Sequence, residues 1–582
     1  MSDALCALFE PTPGGERSLI MCPRIFRGTL LIFIIAVFTA PSAEATWPIY
    51  GKAICTAAYH QLDPKLVSDG AGGAIITWYD NRSGTNIYAQ RVDEDGHILW
   101  IYDGELVCGA PASQYYPEIA ADGSGGAIIC WEDYRTSLNF RDIYAQKVNA
   151  SGVDQWAGNG AEVCVRADTQ AGAKVVSDGA GGGIFVWRDE RDNNQDLYAQ
   201  RIDTGGNRRW AAGGVLICTD STEEYGHQII ADGAGGAIIT WYGTREGADD
   251  HDVFAQRIDS SGVVQWTADG ATVSSHPGAQ LNPQLVSDES GGAIIVLEYE
   301  NADIFAQRIS AGGTLMWDVN DVPICTVEGG SDNPQIDADG FGGAVITWED
   351  NRTGSDGMNI FAQRVNASGD TLWSADGIPV CTSSGTQSSP RIAGDGFGGA
   401  IVSWENEVIH LADHDIYARI IDASGNAQGI GSGILISMTP EMQNQHVITA
   451  DGNGGAILTW RDSRAAGWAD IYAAKLTGAG YTGIGTPGLR DAGALAQNFP
   501  NPFNPSTTIQ FALPDKQHVT LTVYSVQGRR IATLINESKE AGPHEVKWSG
   551  RDDDGRLMPS GVYFYRLEAG AINETRHMVL IK

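Results

Sequence analysis

Carboxylates dominate the side chains that could do chemistry. Asp and Glu total 72 against 38 Lys and Arg, a net charge of −34. Five of them sit in a recurrent W-x-D-x-R run: Asp80, Asp133, Asp189, Asp350 and Asp462, followed by Arg82, Arg135, Arg191, Arg352 and Arg464. A carboxylate beside a turn accepts backbone N–H bonds, and the Arg can pair with a second carboxylate that opens the next strand, such as Asp142, Asp196 or Asp470. That arrangement staples a hairpin. Ca²⁺ is the alternative occupant of the same loops, but no D-x-D-x-D-G run supplies the six or more oxygens it needs. No other cofactor is predicted. His410, Asp413 and His414 lie close together in the loop ENEVIHLADHD without a strong metal-ligand spacing. Gln61, Gln114, Gln280 and Gln387 each stand three residues before a Pro and could form a polar binding rim, with His410 and His414 as further ligand-face candidates. No nucleophile elbow, phosphate-binding loop or H-E-x-x-H is present, so no catalytic residue is assigned. The negative charge excludes nucleic acid as a partner, because a phosphate backbone would be repelled.

These residues recur because the chain repeats. Asp-Gly-x-Gly-Gly falls at Asp69, Asp122, Asp178, Asp232, Asp339, Asp395 and Asp451, with the decayed copy DESGG at Asp288. The eight copies have a period of roughly 54 residues. Each period reads as four short strands: a stretch such as EIAAD, an apolar run such as AIITW, an alternating run such as NIYAQRV, and a short piece ending in V-C. No segment has a helical period. Trp78, Trp131, Trp187, Trp241, Trp348, Trp404 and Trp460 hold one position, which suits packing between neighbouring units better than a ring of sugar platforms.

Four-stranded units of this length describe propeller blades. The Tyr-Ala strand, Gly turn and Trp are similar to the blades of quinoprotein-type propellers. A dehydrogenase of that kind would be expected to carry an adjacent Cys-Cys pair, and none occurs here. The W-x3-G-x-x-[VI]-[CS] unit that ends most periods is missing after the eighth, yet WPIYGKAIC (Trp47 to Cys55) stands alone before the first. The expectation is an all-β chain: an eight-bladed propeller over residues 46–476, closed by an N-terminal strand, then a small Ig-like β-sandwich. Seven cysteines follow the leader, and six of them share one repeat position, which places them in the core rather than in disulfides.

Residues 1–45 read as a signal peptide, with Arg24 and Arg27, the apolar run Thr29 to Phe38 and the small residues Ala43 and Ala45; the true start is then possibly Met21. No transmembrane segment is expected in the mature chain. A Gly-rich linker covers 477–494. Residues 495–582 hold ten Lys and Arg against nine Asp and Glu, so this part is about neutral. It opens with NFPNPFNP, including Asn498, Pro500, Asn501, Pro502, Phe503, Asn504 and Pro505, and contains Trp548, the run SGVYFYRL with Gly561 and Tyr563, and the terminal Lys582. These motifs resemble the C-terminal sorting domain of the type IX secretion system and the related Ig-like domain of flagellar hook-capping proteins. The resemblance implies export through the periplasm and delivery to the outer cell surface or medium, with the secretion machinery as partner. The reading is a monomeric binding or adhesion protein for polysaccharide or a surface protein. A secreted polysaccharide hydrolase or lyase, a dehydrogenase, and a structural surface-layer component remain open beside it.

Overall fold

The computed structural model describes residues 47–481, 495 and 498–580, apart from 49, 192–194, 220–223, 246–249, 319–320, 353–356, 384, 408–413, 429–432, 440, 465–466, 478–479, 499–502, 504–505, 514–515, 527, 540–541 and 571. The leader and most of the linker lie outside the described residues. All regular structure within them is β.

After strand β1 (Lys52–Cys55), the first full sheet takes its strands in chain order: β2 (Gln61–Ser68), β3 (Ala74–Asp80), β4 (Asn86–Val92) and β5 (Glu105–Cys108). Six more antiparallel sheets repeat this order, beginning at Gln114, Gln170, Glu224, Gln280, Ser331 and Thr386. The eighth consists of Gln443–Ala450, Ala456–Asp462 and Asp470–Thr477, and its outer strand is β1, with Lys52 opposite Ala473. Gly480–Tyr481 folds back onto Asp470–Thr477, so the first residues of the expected linker are paired. The first strand of each sheet packs on the first strand of the next, and that of the eighth packs on β2. The result is a β-propeller-like succession.

Each apolar cluster joins two neighbouring sheets. Trp187 and Phe185 of the third pack with Ile128, Ile143 and Trp156 of the second. The seven recurrent tryptophans are no more than 1% exposed, which fits a packing role. Gly104, at φ +91°, shows what the wedge demands: a Cβ there would lie 2.5 Å from the Trp78 ring.

The sheets are also joined by two polar contacts. Asp133 Oδ2 accepts from Trp131 Nε1 (2.8 Å) and Arg135 Nη2 (2.6 Å), while Oδ1 accepts from the Arg135 amide. Arg135 lies over the Tyr144 ring, 3.7 Å from its centroid, and donates to Cys108 Sγ of the preceding sheet at 3.2 Å. At the other end of the sheet Asp69 caps its own Gly-rich turn and pairs with Arg91, which donates onward to Ala150 O in the next sheet. The Arg partner expected from the sequence was the carboxylate opening the third strand. Instead Arg135 pairs with the Asp two residues before it, because that carboxylate is buried and needs a cation, whereas Asp142 accepts from Thr136 Oγ1 and the Arg166 amide. All seven described cysteines are free and buried.

The C-terminal part has a four-stranded sheet in the order Arg530–Lys539, Gln517–Ser525, Gly561–Ala569, Ile572–Leu580, and a two-stranded one of Thr507–Leu513 with Gly542–Trp548. Among the described residues this part has six strands, where about seven were expected. Phe503, Phe511, Leu521, Trp548, Tyr565 and Met578 share one core between them.

Candidate functional site

The repeat hides its variation in two positions at one end of the sheets. One lies two residues after the buried Gln, Glu or Ser near the start of each first strand. There the register slips by a bulge, and the residue takes a left-handed conformation: Asp63, Tyr116, Gly172, Gly226, Asn282, Asn333, Ser389 and Gln445, at φ +50° to +67°. The other is the residue after the buried Trp of each second strand, or after Leu297 in the fifth sheet. Its occupants, in sheet order, are Tyr79, Glu132, Arg188, Tyr242, Glu298, Glu349, Glu405 and Arg461.

The two rows meet across the seams between sheets. Glu132 Oε1 accepts from the Gly172 amide of the next sheet (2.7 Å), Glu349 Oε1 from the Ser389 amide (2.8 Å), and Glu405 Oε1 from the Gln445 amide (2.9 Å). At Gly226 a Cβ would come 2.6 Å from the Tyr242 ring, so glycine there leaves room for the tyrosine.

The first two sheets gather an aromatic patch. Ring centroids of Tyr79 and Tyr115 lie 5.4 Å apart, Tyr115 and Tyr116 5.9 Å, and Tyr115 and Tyr134 6.0 Å. Tyr116 is 53% exposed. Beside it runs a chain of ion pairs, Asp63–Lys65 (3.4 Å), Lys65–Glu118 (3.4 Å) and Glu118–Lys174 (3.1 Å), crossing three sheets. Burial works against the charge on Glu118, but Lys174 and Lys65 outweigh it and hold its pKa below the usual range. Arg141 pairs with Glu132 at 2.6 Å at the edge of the tyrosines. A second aromatic group, Tyr225, Tyr242 and His251, follows on the fourth sheet.

Sheets five to seven carry acids at the same level. Burial, and then the charges of Glu349 and Glu298, raises the Asp332 carboxyl to about 6. Glu405 lies 3.5 Å from both His446 Nδ1 and His414 Nδ1. Burial keeps His446 below its ordinary pKa although Glu405 is close.

The residues singled out from the sequence fall differently. Gln61, Gln114, Gln280 and Gln387 are fully buried and do not form a rim. Their amides turn inward because the loop before each first strand leaves carbonyls without partners. Gln61 Nε2 donates to Ala57 O and Tyr59 O, and Gln387 Nε2 to Ser383 O and Gly385 O. His414 opens the third strand of sheet seven and meets Glu405; His410 lies outside the described residues. Among the described residues no group of three or more His, Cys, Asp or Glu is placed to hold a metal, and the W-x-D-x-R carboxylates that would face Ca²⁺ already accept N–H bonds. In the tail, Asn498 is buried; its backbone N–H donates to Tyr565 Oη (2.7 Å) and its Nδ2 donates to Thr507 Oγ1 (2.9 Å). Phe503 packs on Trp548, and Tyr563 donates to Pro559 O. Gly561 opens the strand that carries Tyr563. Pro500, Asn501, Pro502, Asn504, Pro505 and Lys582 lie outside the described residues.

Residues 503–571 match the family model of the FlgD Ig-like domain. No curated relative matches the chain. Among solved structures, FlgD from P. aeruginosa is similar at 23% identity, covering 13% of this chain and 57% of that one, with a TM-score of 0.11. This chain thus spans just over half of that FlgD structure. It is also similar to a polysaccharide lyase PL25, an ulvan lyase, at 10% identity over 74% of this chain and 96% of that one (TM-score 0.41). An endo-arabinase from Bacteroides thetaiotaomicron is similar at 12% identity over 46% and 97% (TM-score 0.26). Among the described residues no helix is long and apolar enough to cross a membrane.

Proposed function

We propose that this protein is an exported eight-bladed β-propeller that binds polysaccharide on the face where the bulged first strands begin. The observation that carries the reading is the patch of Tyr79, Tyr115, Tyr116 and Tyr134, bordered by fixed charges from three sheets. Aromatic faces take the apolar faces of sugar rings, and convergent polar groups fix their orientation. The ring is supported by the neighbour order of first strands, by the pairing of Lys52 with Ala473, and by Lys475 Nζ donating to Gly72 O from sheet eight to sheet one. A glycan array probed with residues 46–582 tests the reading, with Tyr116→Ala as the matched variant. Retention of intact glycans by the parent and loss in the variant is the expected result. Equal binding by both would place the site elsewhere.

A second reading is an enzyme on the same face. Asp332, raised to about 6 by burial and by the neighbouring Glu349 and Glu298, has the character of a general acid. New reducing ends or unsaturated products in the array supernatants would favour it.

The tail is proposed as a type IX sorting domain that delivers the propeller to the outer surface or the medium. The NFPNPFNP opening and the FlgD Ig-like match support that role. Normal surface delivery after deletion of 495–582 would remove it.

A further inference from the structure

The row that follows the buried Trp, or Leu297 in the fifth sheet, has most of its anions answered by the protein and its cations left without an ionic partner among the described residues. Glu132 accepts from the Gly172 amide and from Arg141, and Glu349 from the Ser389 amide and from Asn333 (2.7 Å). Glu298 accepts from Asn282 (3.2 Å), and Glu405 from the Gln445 amide beside its two histidines. Among the described residues the Arg188 side chain donates to a neutral group, Gln195 Oε1 at 2.9 Å. The Arg461 side chain makes no hydrogen bond or ion pair with any described residue, and its Nε is buried without an acceptor. A buried guanidinium N–H without an acceptor is costly, and a carboxylate or sulfate oxygen is its natural complement.

The two arginines flank the aromatic groups. Arg461 is on sheet eight, and its charge bears on the Tyr79 hydroxyl of sheet one. Arg188 is on sheet three, and its charge bears on Tyr242 of sheet four. Between them Lys65 and Lys174 are balanced by Asp63 and Glu118, so the surplus positive charge of this stretch sits on the arginines. Sheets five to seven place Glu298, Glu349 and Glu405 in the same row. One half of the row is aromatic and cationic, and the other is acidic.

We infer that the glycan bound here is anionic, a chain bearing carboxylate or sulfate ester groups, with Arg461 and Arg188 as its two anion receptors and the tyrosines stacking the sugar rings between them. The inference rests on the glycan-binding reading and adds the charge and the direction of the ligand to it. A polyanion crossing sheets eight to three meets guanidinium groups without an ionic partner among the described residues, and one crossing sheets five to seven meets carboxylates whose nearby cation, Arg391, is already shared by Glu349 and Glu405.

The test uses residues 46–582 in affinity electrophoresis and calorimetry with three probes: polygalacturonate for carboxylate, dextran sulfate for sulfate ester, and dextran as the neutral control. The variants are Arg461→Gln, Arg188→Gln, Tyr116→Ala and the exposed control Arg209→Gln, each checked by thermal melting. The expected result is binding to one or both polyanions and not to dextran, weakened about tenfold in Arg461→Gln and in Arg188→Gln, unchanged in Arg209→Gln, and weakened by added salt. Which polyanion binds separates carboxylate from sulfate. Equal binding of dextran and polyanions, or arginine variants that behave as the control does, overturns the anionic assignment. Loss in Tyr116→Ala would then keep the broader glycan reading. Absence of glycan binding of any kind would sink both.

Discussion

His227 gives a quantitative check on how the sheets are sealed together. It follows the fourth bulge, is 5% exposed, and its Nε2 lies 2.6 Å from Gly172 O in the third sheet. That contact fixes the proton on Nε2. Burial first, and then the charge of Lys174, pushes its pKa down to about 3. An unfolded histidine titrates near 6.5. Because the folded value is lowered, the unfolded chain takes up a proton that the folded chain refuses. The stabilisation is complete above about 6.5 and is lost as pH falls from there toward 3. Each unit in that window is worth about 1.4 kcal/mol, so going to about pH 4.5 costs about 3 kcal/mol. The variant His227→Gln keeps an N–H for Gly172 O and does not titrate. Urea unfolding followed by tryptophan fluorescence reports on this region, since Trp548 alone lies in the tail. Between about pH 7.5 and 4.5 the stability difference between the two proteins should move by about 3 kcal/mol in the variant's favour. Asp332, whose pKa is raised, acts in the opposite sense in both proteins and cancels in the difference. Stability curves that run parallel over that range would refute the reasoning.

Breaking one polar staple should be felt across a seam. Asp133→Asn removes the charge that Arg135 and Trp131 share, and a loss of about 3 kcal/mol is expected in denaturant unfolding. Burial pushes Cys108 to about 11 and Cys164 to about 12, so iodoacetamide at about pH 8 should leave the native thiols unmodified and label all seven in concentrated guanidinium, read by mass spectrometry. Removing residues 46–57 takes β1 from the eighth sheet and leaves Asp470–Thr477 as an edge; the shortened protein should aggregate, measured by light scattering, while the parent stays dispersed.

The strand Lys52–Cys55 could be placed from the sequence because Trp47, Gly51 and Cys55 copy a unit missing from the last period, and arithmetic over repeats is long-range information that a single chain carries. The burial of Trp78 and its equivalents followed from the same logic. The site did not. Repetition marks what every sheet needs, whereas Tyr79, Arg188 and Arg461 sit in the one slot of W-x-D that varies, between two residues that draw the eye. Gln61 and its equivalents misled in the reverse way. A repeated polar residue in a loop reads as exposed, but its amide is spent on carbonyls that the loop leaves bare. The Arg135 pairing was misjudged because burial of Asp133, which selects the partner, is set by the neighbouring sheet. The bulges at Asp63 and Tyr116 carry no signal of their own in a strand that otherwise alternates normally.

The borrowing of β1 by the eighth sheet also sets a timetable. Arg464 holds Tyr50 O across 414 residues of chain, and Lys52 meets Ala473 over a similar distance. The segment made first is therefore among the last to dock. Contacts this distant in sequence carry a large loop-closure cost and slow the final folding step. Until Asp470–Thr477 has been synthesised, β1 has no edge to join and the eighth sheet does not exist. Sheets one to seven are each built from neighbouring stretches of chain, so the last seam alone waits on residue 477, and β1 stays a free strand until then.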